Sequence, residues 1–205
     1  MNEPFSDQTD ANGNLLPRKT VFNTIGSDPL DYIAVAFRAA RAADPNAILC
    51  LNDYTNQGGL AAPNDQHTEQ EFQLVSSLKA AGVPIDCIGM EMHLGLGWQF
   101  PRYQGVLDTM KRYAGIGVQV QVTEFDFGMK SASKTDLNKQ ATFYHDMLQA
   151  CIASANCTQF TTWGFTDKYS WIPSFFSGYG FALPFDRTLR PKPAYSALQN
   201  VLLEQ

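Results

Sequence analysis

Short β-branched or apolar runs alternate with longer amphipathic ones along the chain. The pattern predicts strands at 47–52, 87–92, 118–123 and 159–163, and helices at 31–43, 68–81, 103–114, 134–153 and 193–203. In the second helix Phe72, Val75, Leu78 and Lys79 recur at spacings of three and four, which gives one face that can lie on a sheet. Gly82, Gly115 and Gly117 fall where helices should stop. Strand followed by helix, repeated, is the pattern of βα units around a parallel sheet.

Polar residues fall at or just past the strand ends: Glu3, Asn52, His93, Glu124 and Trp163. They recur at about the length of one βα unit, as groups gathered on the C-terminal edge of a barrel or a doubly wound sheet would. No glycine-rich phosphate loop follows any strand, which weighs against the nucleotide-binding form. A complete barrel of this kind needs eight strands and typically about 250 residues. The 205 residues here hold four strands and the tail of another, so residues 1–205 are expected to be the C-terminal portion of one barrel, with the front half missing. The segments 52–65 and 164–192 are expected to be active-site loops.

Composition narrows the partners. With 44% hydrophobic residues the chain can bury a core, and a formal charge of −5 with scattered Lys and Arg offers no basic face for nucleic acid. No apolar run is long enough for a membrane span, so no membrane partner is expected. Of four cysteines, Cys50 and Cys87 lie in strand-like runs, while Cys151 and Cys157 flank a helix-to-strand junction where they can bridge; four reduced thiols is the alternative. Asn156-Cys157-Thr158 fits an N-glycosylation acceptor.

Two carboxylates delivered to one cleft from different strands suit acid-assisted cleavage of a glycosidic bond. Glu3 follows Asn2, which is free to bind a sugar hydroxyl; the alternative is an ordinary surface glutamate. Glu124 ends an apolar strand, where a carboxylate needs partners. His93 can hold it ionised and Asp126 can fix the His93 tautomer, the alternative being a local ion pair. Glu91, His93, Glu124 and Asp126 also admit a metal reading. It is the weaker one, because His67 and His145 lie away from strand ends, and no metal is expected. Trp163 and Trp171 lie in and after the segment Thr162-Trp163-Gly164, and their faces suit sugar rings, although Trp163 can equally fill a barrel mouth. Trp98 is either a further platform or loop packing.

Six runs, in order, resemble glycoside hydrolase family 10, the retaining endo-β-1,4-xylanases. They are Asn2-Glu3-Pro4; Leu51-Asn52-Asp53-Tyr54; Pro84-Ile85-Asp86 leading into Ile88-Gly89 and His93-Leu94; Thr123-Glu124-Phe125-Asp126; Trp163-Gly164 through Asp167 to Ser170-Trp171; and Phe185-Asp186 with Pro191-Lys192-Pro193-Ala194-Tyr195. The resemblance implies an α/β fold, a partial TIM barrel running from the end of strand four through strand eight and the final helix. It implies Glu3 as acid/base, Glu124 as nucleophile, and His93 and Asp126 in support. Asn2, Asn52, Tyr54, Glu91, Trp163 and Trp171 would meet substrate, and Cys151 and Cys157 would form a bridge in a secreted protein. Xylan or xylo-oligosaccharides are the implied partners, without a cofactor. Glu91 departs from the family, which usually has Gln two residues before the histidine. Without the front half, the expectation is a segment unable to turn over substrate alone; the alternatives are a non-catalytic carbohydrate-binding fragment and a barrel glycosidase for another β-linked glycan.

Overall fold

The computed structural model describes residues 1–60, 65–98 and 100–204. After the first residues come a two-stranded antiparallel hairpin, β1 (Phe5–Thr9) and β2 (Leu15–Pro17), and a single 3-10 turn at Val21–Thr24. The βα units follow: α1 (Asp31–Ala43), β3 (Cys50–Asp53), α2 (Gln66–Ala80), β4 (Cys87–Met90), β5 (His93–Gly95), α3 (Tyr103–Gly115), β6 (Gln119–Gly128), α4 (Lys134–Ile152) and β7 (Cys157–Thr162). The short α5 (Ile172–Phe175) and α6 (Pro193–Leu203) close the chain. The expected loop 52–65 includes residues 61–64, which lie outside the described residues.

The helices start and stop for local reasons. The Ser133 hydroxyl caps α4 by accepting from the Asp136 amide at 3.1 Å, and Pro193 opens α6 with its φ already set. Gly82 and Gly117 stand just beyond α2 and α3 in the left-handed region, at φ +70° and +69°. On α2, Val75 is fully buried and Phe72 and Leu78 pack beside it, but the inner face also carries His67, Thr68 and Glu71. Lys79 leaves that face to donate to the Ile85 carbonyl.

β3, β4, β6 and β7 lie side by side and all parallel, and β5 pairs farther along β6. Asn2 forms a parallel bridge to Asn52, which brings the first residues alongside β3. One face of the sheet, with Leu51, Ile88, Met90, Val120 and Val122, is buried in the main core. The opposite face carries Asn52, Gly89 and Gln121 in register.

Two irregularities decide where the site points. The predicted strand 87–92 breaks at Met92, whose φ of +54° turns the chain before β5 resumes at His93. β6 carries a bulge: Met90 pairs with Val122 and His93 with Asp126, so three residues on one strand face four on the other. Strict alternation would put Glu124 on the core face with Val120 and Val122. Instead Thr123 and Glu124 both reach Asn52 on the opposite face, and Phe125 and Phe127 turn back to pack on Tyr144 and Phe143 of α4.

Both cysteine pairs are bridged, not the second alone. Cys50 and Cys87 are register partners on neighbouring strands, with Cα atoms 4.5 Å apart, and Cys151 joins Cys157 across the turn from α4 to β7. Asn156, read as a glycosylation acceptor, is instead part of the fold. Its side-chain amide donates to the Met110 and Val118 carbonyls at 2.9 and 3.0 Å, tying α3 and the entry to β6 together.

Candidate active site

Strand ends on the Asn52 side of the sheet open into a cleft of about 670 Å³. Its wall includes Glu3, Tyr54, Glu91, His93, Glu124, Trp163 and Trp171, each singled out from the sequence, and also Asp7, Arg18, Thr55, Trp98, Phe175 and Phe176. Glu3, Thr55 and Met92 all have positive φ, at 45°, 55° and 54°. Left-handed backbone at non-glycine residues costs about 1–2 kcal/mol each, and such strain gathers at functional sites.

Around Glu124 the side chains form a connected network. His93 Nε2 lies 3.3 Å from Glu124 Oε2, and His93 Nδ1 lies 3.0 Å from Asp126 Oδ2 on the far side of the ring. The Trp171 indole N–H donates to the same Asp126 oxygen at 2.8 Å, and the indole meets the His93 ring edge-on at 4.8 Å. Asp126 is wholly buried. Burial works against the His93 imidazolium, but Asp126, Glu91 and Glu124 together outweigh it and hold its pKa above the ordinary value.

Asn52 is the second organiser. Its Nδ2 approaches Asn2 Oδ1 at 2.6 Å, Glu91 Oε1 at 3.0 Å and Glu124 Oε1 at 3.2 Å, while its Oδ1 accepts from the Thr123 hydroxyl at 2.7 Å. Gly89 makes this reach possible: a Cβ there would lie 2.0 Å from Asn52 Oδ1. Asn52 thus binds Asn2 and the carboxyl groups of Glu91 and Glu124, and neither asparagine belongs to the cleft wall.

Glu3 is held from the hairpin. Arg18 donates through Nη2 to Glu3 Oε2 at 2.7 Å and through Nε to its carbonyl at 2.9 Å. The Tyr54 hydroxyl donates to Asp7 Oδ1 at 2.7 Å. Burial, then Asp7, pushes the phenol pKa well above its usual range. The sequence carries no periodic signal for Asp7 or Arg18, because the hairpin is short and polar. Trp98, open from sequence, lines the cleft and packs on Phe176 and Tyr179 at ring distances of 4.6 and 5.3 Å. Trp163 is 49% exposed, more than a core filler would be.

Glu91, His93 and Glu124 offer three ligand atoms within 4.8 Å of one another. We read the trio as a hydrogen-bonding network rather than as metal ligands. The Asn52 amide N–H groups face both carboxyl groups, and would point donors at the oxygens a cation would need. Elsewhere His67 is buried against Asp53 at 3.0 Å, and His145 pairs with neighbouring Asp146 at 2.9 Å, both outside the cleft.

The profile described as glycosyl hydrolase family 10 matches residues 1–201. Endo-1,4-beta-xylanase B of Thermotoga neapolitana is 37% identical over 186 residues, which are 90% of this chain and 51% of the relative. Endo-1,4-beta-xylanase C of Phanerodontia chrysosporium is 38% identical over 200 residues, covering 97% and 46%. Among solved structures, xylanase 10B from Thermotoga petrophila RKU-1 in complex with xylobiose superposes with a TM-score of 0.86 at 35% identity, over 99% of this chain and 58% of that one. The chain spans about half the length of the curated relatives it matches. Its fold is that of these proteins: a parallel sheet with outer helices, forming part of a TIM barrel.

Proposed function

The chain belongs to glycosyl hydrolase family 10, and from that premise we propose that it is the acid- and nucleophile-bearing part of a retaining endo-β-1,4-xylanase. Glu124 is the nucleophile and Glu3 the acid/base. One observation carries the reading: two carboxyl groups 121 positions apart in sequence line the same cleft, and one of them is held by a histidine backed by a buried aspartate. The xylobiose bound to the Thermotoga petrophila relative supports xylo-oligosaccharides as the substrate class.

In the first step Glu124 attacks the anomeric carbon while Glu3 gives its proton to the departing sugar oxygen. Glu3 Oε2 accepts from the Arg18 guanidinium, so the proton that Glu3 gives up is carried on Oε1. Asn52 directs Glu124 by donating to Oε1, His93 Nε2 faces the other carboxylate oxygen, and Asp126 lies against the far side of the His93 ring. In the second step Glu3 takes a proton from water, which displaces the sugar from Glu124 with a second inversion, so configuration is retained. Trp163 and Trp171 offer faces for neighbouring sugar rings. No step requires a cofactor. The two disulfides support an oxidising, extracellular setting.

The test is hydrolysis of an aryl β-xylobioside, with product configuration followed by proton NMR. Release of the β-anomer first, abolished by Glu124→Ala, is the expected result; turnover unaffected by that change would sink the nucleophile assignment. Carbohydrate binding without turnover is the second reading, favoured by the chain's coverage of only about half of its relatives' length. Xylo-oligosaccharide titration of the same sample separates the two.

A further inference from the structure

Glu91 lies in the cleft wall yet has no role in the two-step scheme, and its surroundings are short of hydrogen-bond donors. Asn52 Nδ2 carries two protons and is approached by three oxygens, those of Asn2, Glu91 and Glu124. His93 Nε2 carries at most one proton and faces Glu124 Oε2 at 3.3 Å and Glu91 Oε2 at 3.7 Å. Glu91 and Glu124 therefore draw on the same donors. Charge is equally crowded: Glu91 is 3% exposed, Asp126 is fully buried, and the one group of the trio and its backing aspartate that can carry positive charge is His93.

We propose that Glu91 is a positioning residue that works in its neutral, proton-bearing form, leaving the shared donors of Asn52 and His93 to Glu124, and that its ionisation closes the working range of the site on the alkaline side. The proposal rests on the reading of Glu124 as nucleophile. A carboxylic acid needs fewer donors than a carboxylate and adds one of its own, so a single proton on Glu91 relieves both the donor shortage and the excess charge. Once ionised, Glu91 competes for the Nδ2–H of Asn52 and the Nε2–H of His93 and draws them from Glu124.

The groups around Glu91 act mostly in one direction. Burial, then Glu124 on β6 and Glu3 before β1, push its pKa up; His93 on β5 pulls it down, Asp53 on β3 adds to the rise, and the result is about 8. Buried Glu71 on α2 is a further acidic neighbour, itself raised by burial and by Asp53. Asn52 and Thr123 complete the surroundings as neutral groups.

Two readouts test this. In the chain labelled at glutamate carboxyl carbons and histidine nitrogens, the Glu91 resonance, assigned by its absence in Glu91→Gln, should titrate with a midpoint near pH 8. The Glu124 carboxyl carbon and His93 Nε2 should move with it in the wild type and lose that step in Glu91→Gln. A Glu91 midpoint below about pH 6, or His93 and Glu124 steps that persist unchanged in Glu91→Gln, overturns the proposal. In kinetics, kcat/KM on an aryl β-xylobioside should fall about tenfold per pH unit above pH 8 in the wild type, and the fall should start at higher pH in Glu91→Gln. An identical alkaline limb in the two proteins overturns the positioning role. Absence of turnover in the wild type counts against the xylanase reading alone, since the titration decides Glu91 without it.

Discussion

Replacing Lys192 by Met tests what holds the long loop 164–192 over the cleft. Lys192 is 7% exposed and Asp167 4%, and the ammonium contacts both Asp167 oxygens at 3.0 and 3.3 Å and the Phe181 and Leu183 carbonyls at 2.7 Å each. Burial lowers the Lys192 pKa and raises that of Asp167, and each partner opposes the shift of the other. Phe181 has φ +50°, and its carbonyl is held by Lys192 and by the Gln140 amide at 2.6 Å, so the clamp also stabilises a strained backbone. Methionine keeps much of the stem but leaves a buried carboxylate without its cation and two carbonyls short of a donor. Breaking a buried pair from one side costs about 3–5 kcal/mol, and the Leu183 carbonyl, left without its donor while Phe181 keeps that of Gln140, adds to that. We therefore expect a loss of about 4 kcal/mol in urea unfolding followed by tryptophan fluorescence. The loop's apolar anchor is the Ile172, Ala182 and Leu183 cluster with Trp171 packed on it, so Trp171 emission should shift before global unfolding. A loss below about 1 kcal/mol with unchanged emission would refute the clamp, as would additive effects in a double-mutant cycle with Asp167→Leu.

The disulfides should contribute unequally. Cys50–Cys87 closes 37 residues and Cys151–Cys157 closes 6, so chain entropy assigns them about 4 and about 2 kcal/mol respectively; equal losses on paired replacement by alanine, read by urea midpoints, would contradict that account. Stability should also fall with rising pH because of Glu91. Its pKa is raised in the folded chain from the ordinary 4.5 to about 8, so between those values the folded state keeps a proton that the unfolded state has released. The stabilising excess is complete below the lower value and is lost as pH climbs toward the upper one, by as much as about 5 kcal/mol at full effect. Glu91→Gln should flatten the urea midpoint between pH 5 and pH 9, and a slope unchanged by that substitution would assign the dependence elsewhere.

Local sequence was enough for the helices. The periodicity placed α1 and α6 at the bounds observed and α2, α3 and α4 within one or two residues, because apolar spacing, Ser133, Pro193 and the post-helix glycines act within a few positions of themselves; the short α5 lies inside the segment read as a loop. The succession of βα units along the chain and the rhythm of polar strand ends were legible for the same reason, since each strand follows its helix at about the same interval. The family was legible from six short runs of side chains.

What the strands do to one another was not written locally. Alternation alone puts Glu124 with the core valines, and only the bulge that β6 adopts against β4 and β5 brings it to Asn52 and the cleft. Arg18 meets Glu3 because a polar hairpin folds back. Cys50 and Cys87 bridge because register sets them opposite each other, and Asn156 serves packing rather than a glycan because two distant carbonyls converge on it. The nature of Glu91 as a buried acid likewise depends on burial and on four charges from other segments. Local preferences fix which elements form; pairing register, burial and the charges that burial brings together arise between residues far apart in the chain, and those decided the site.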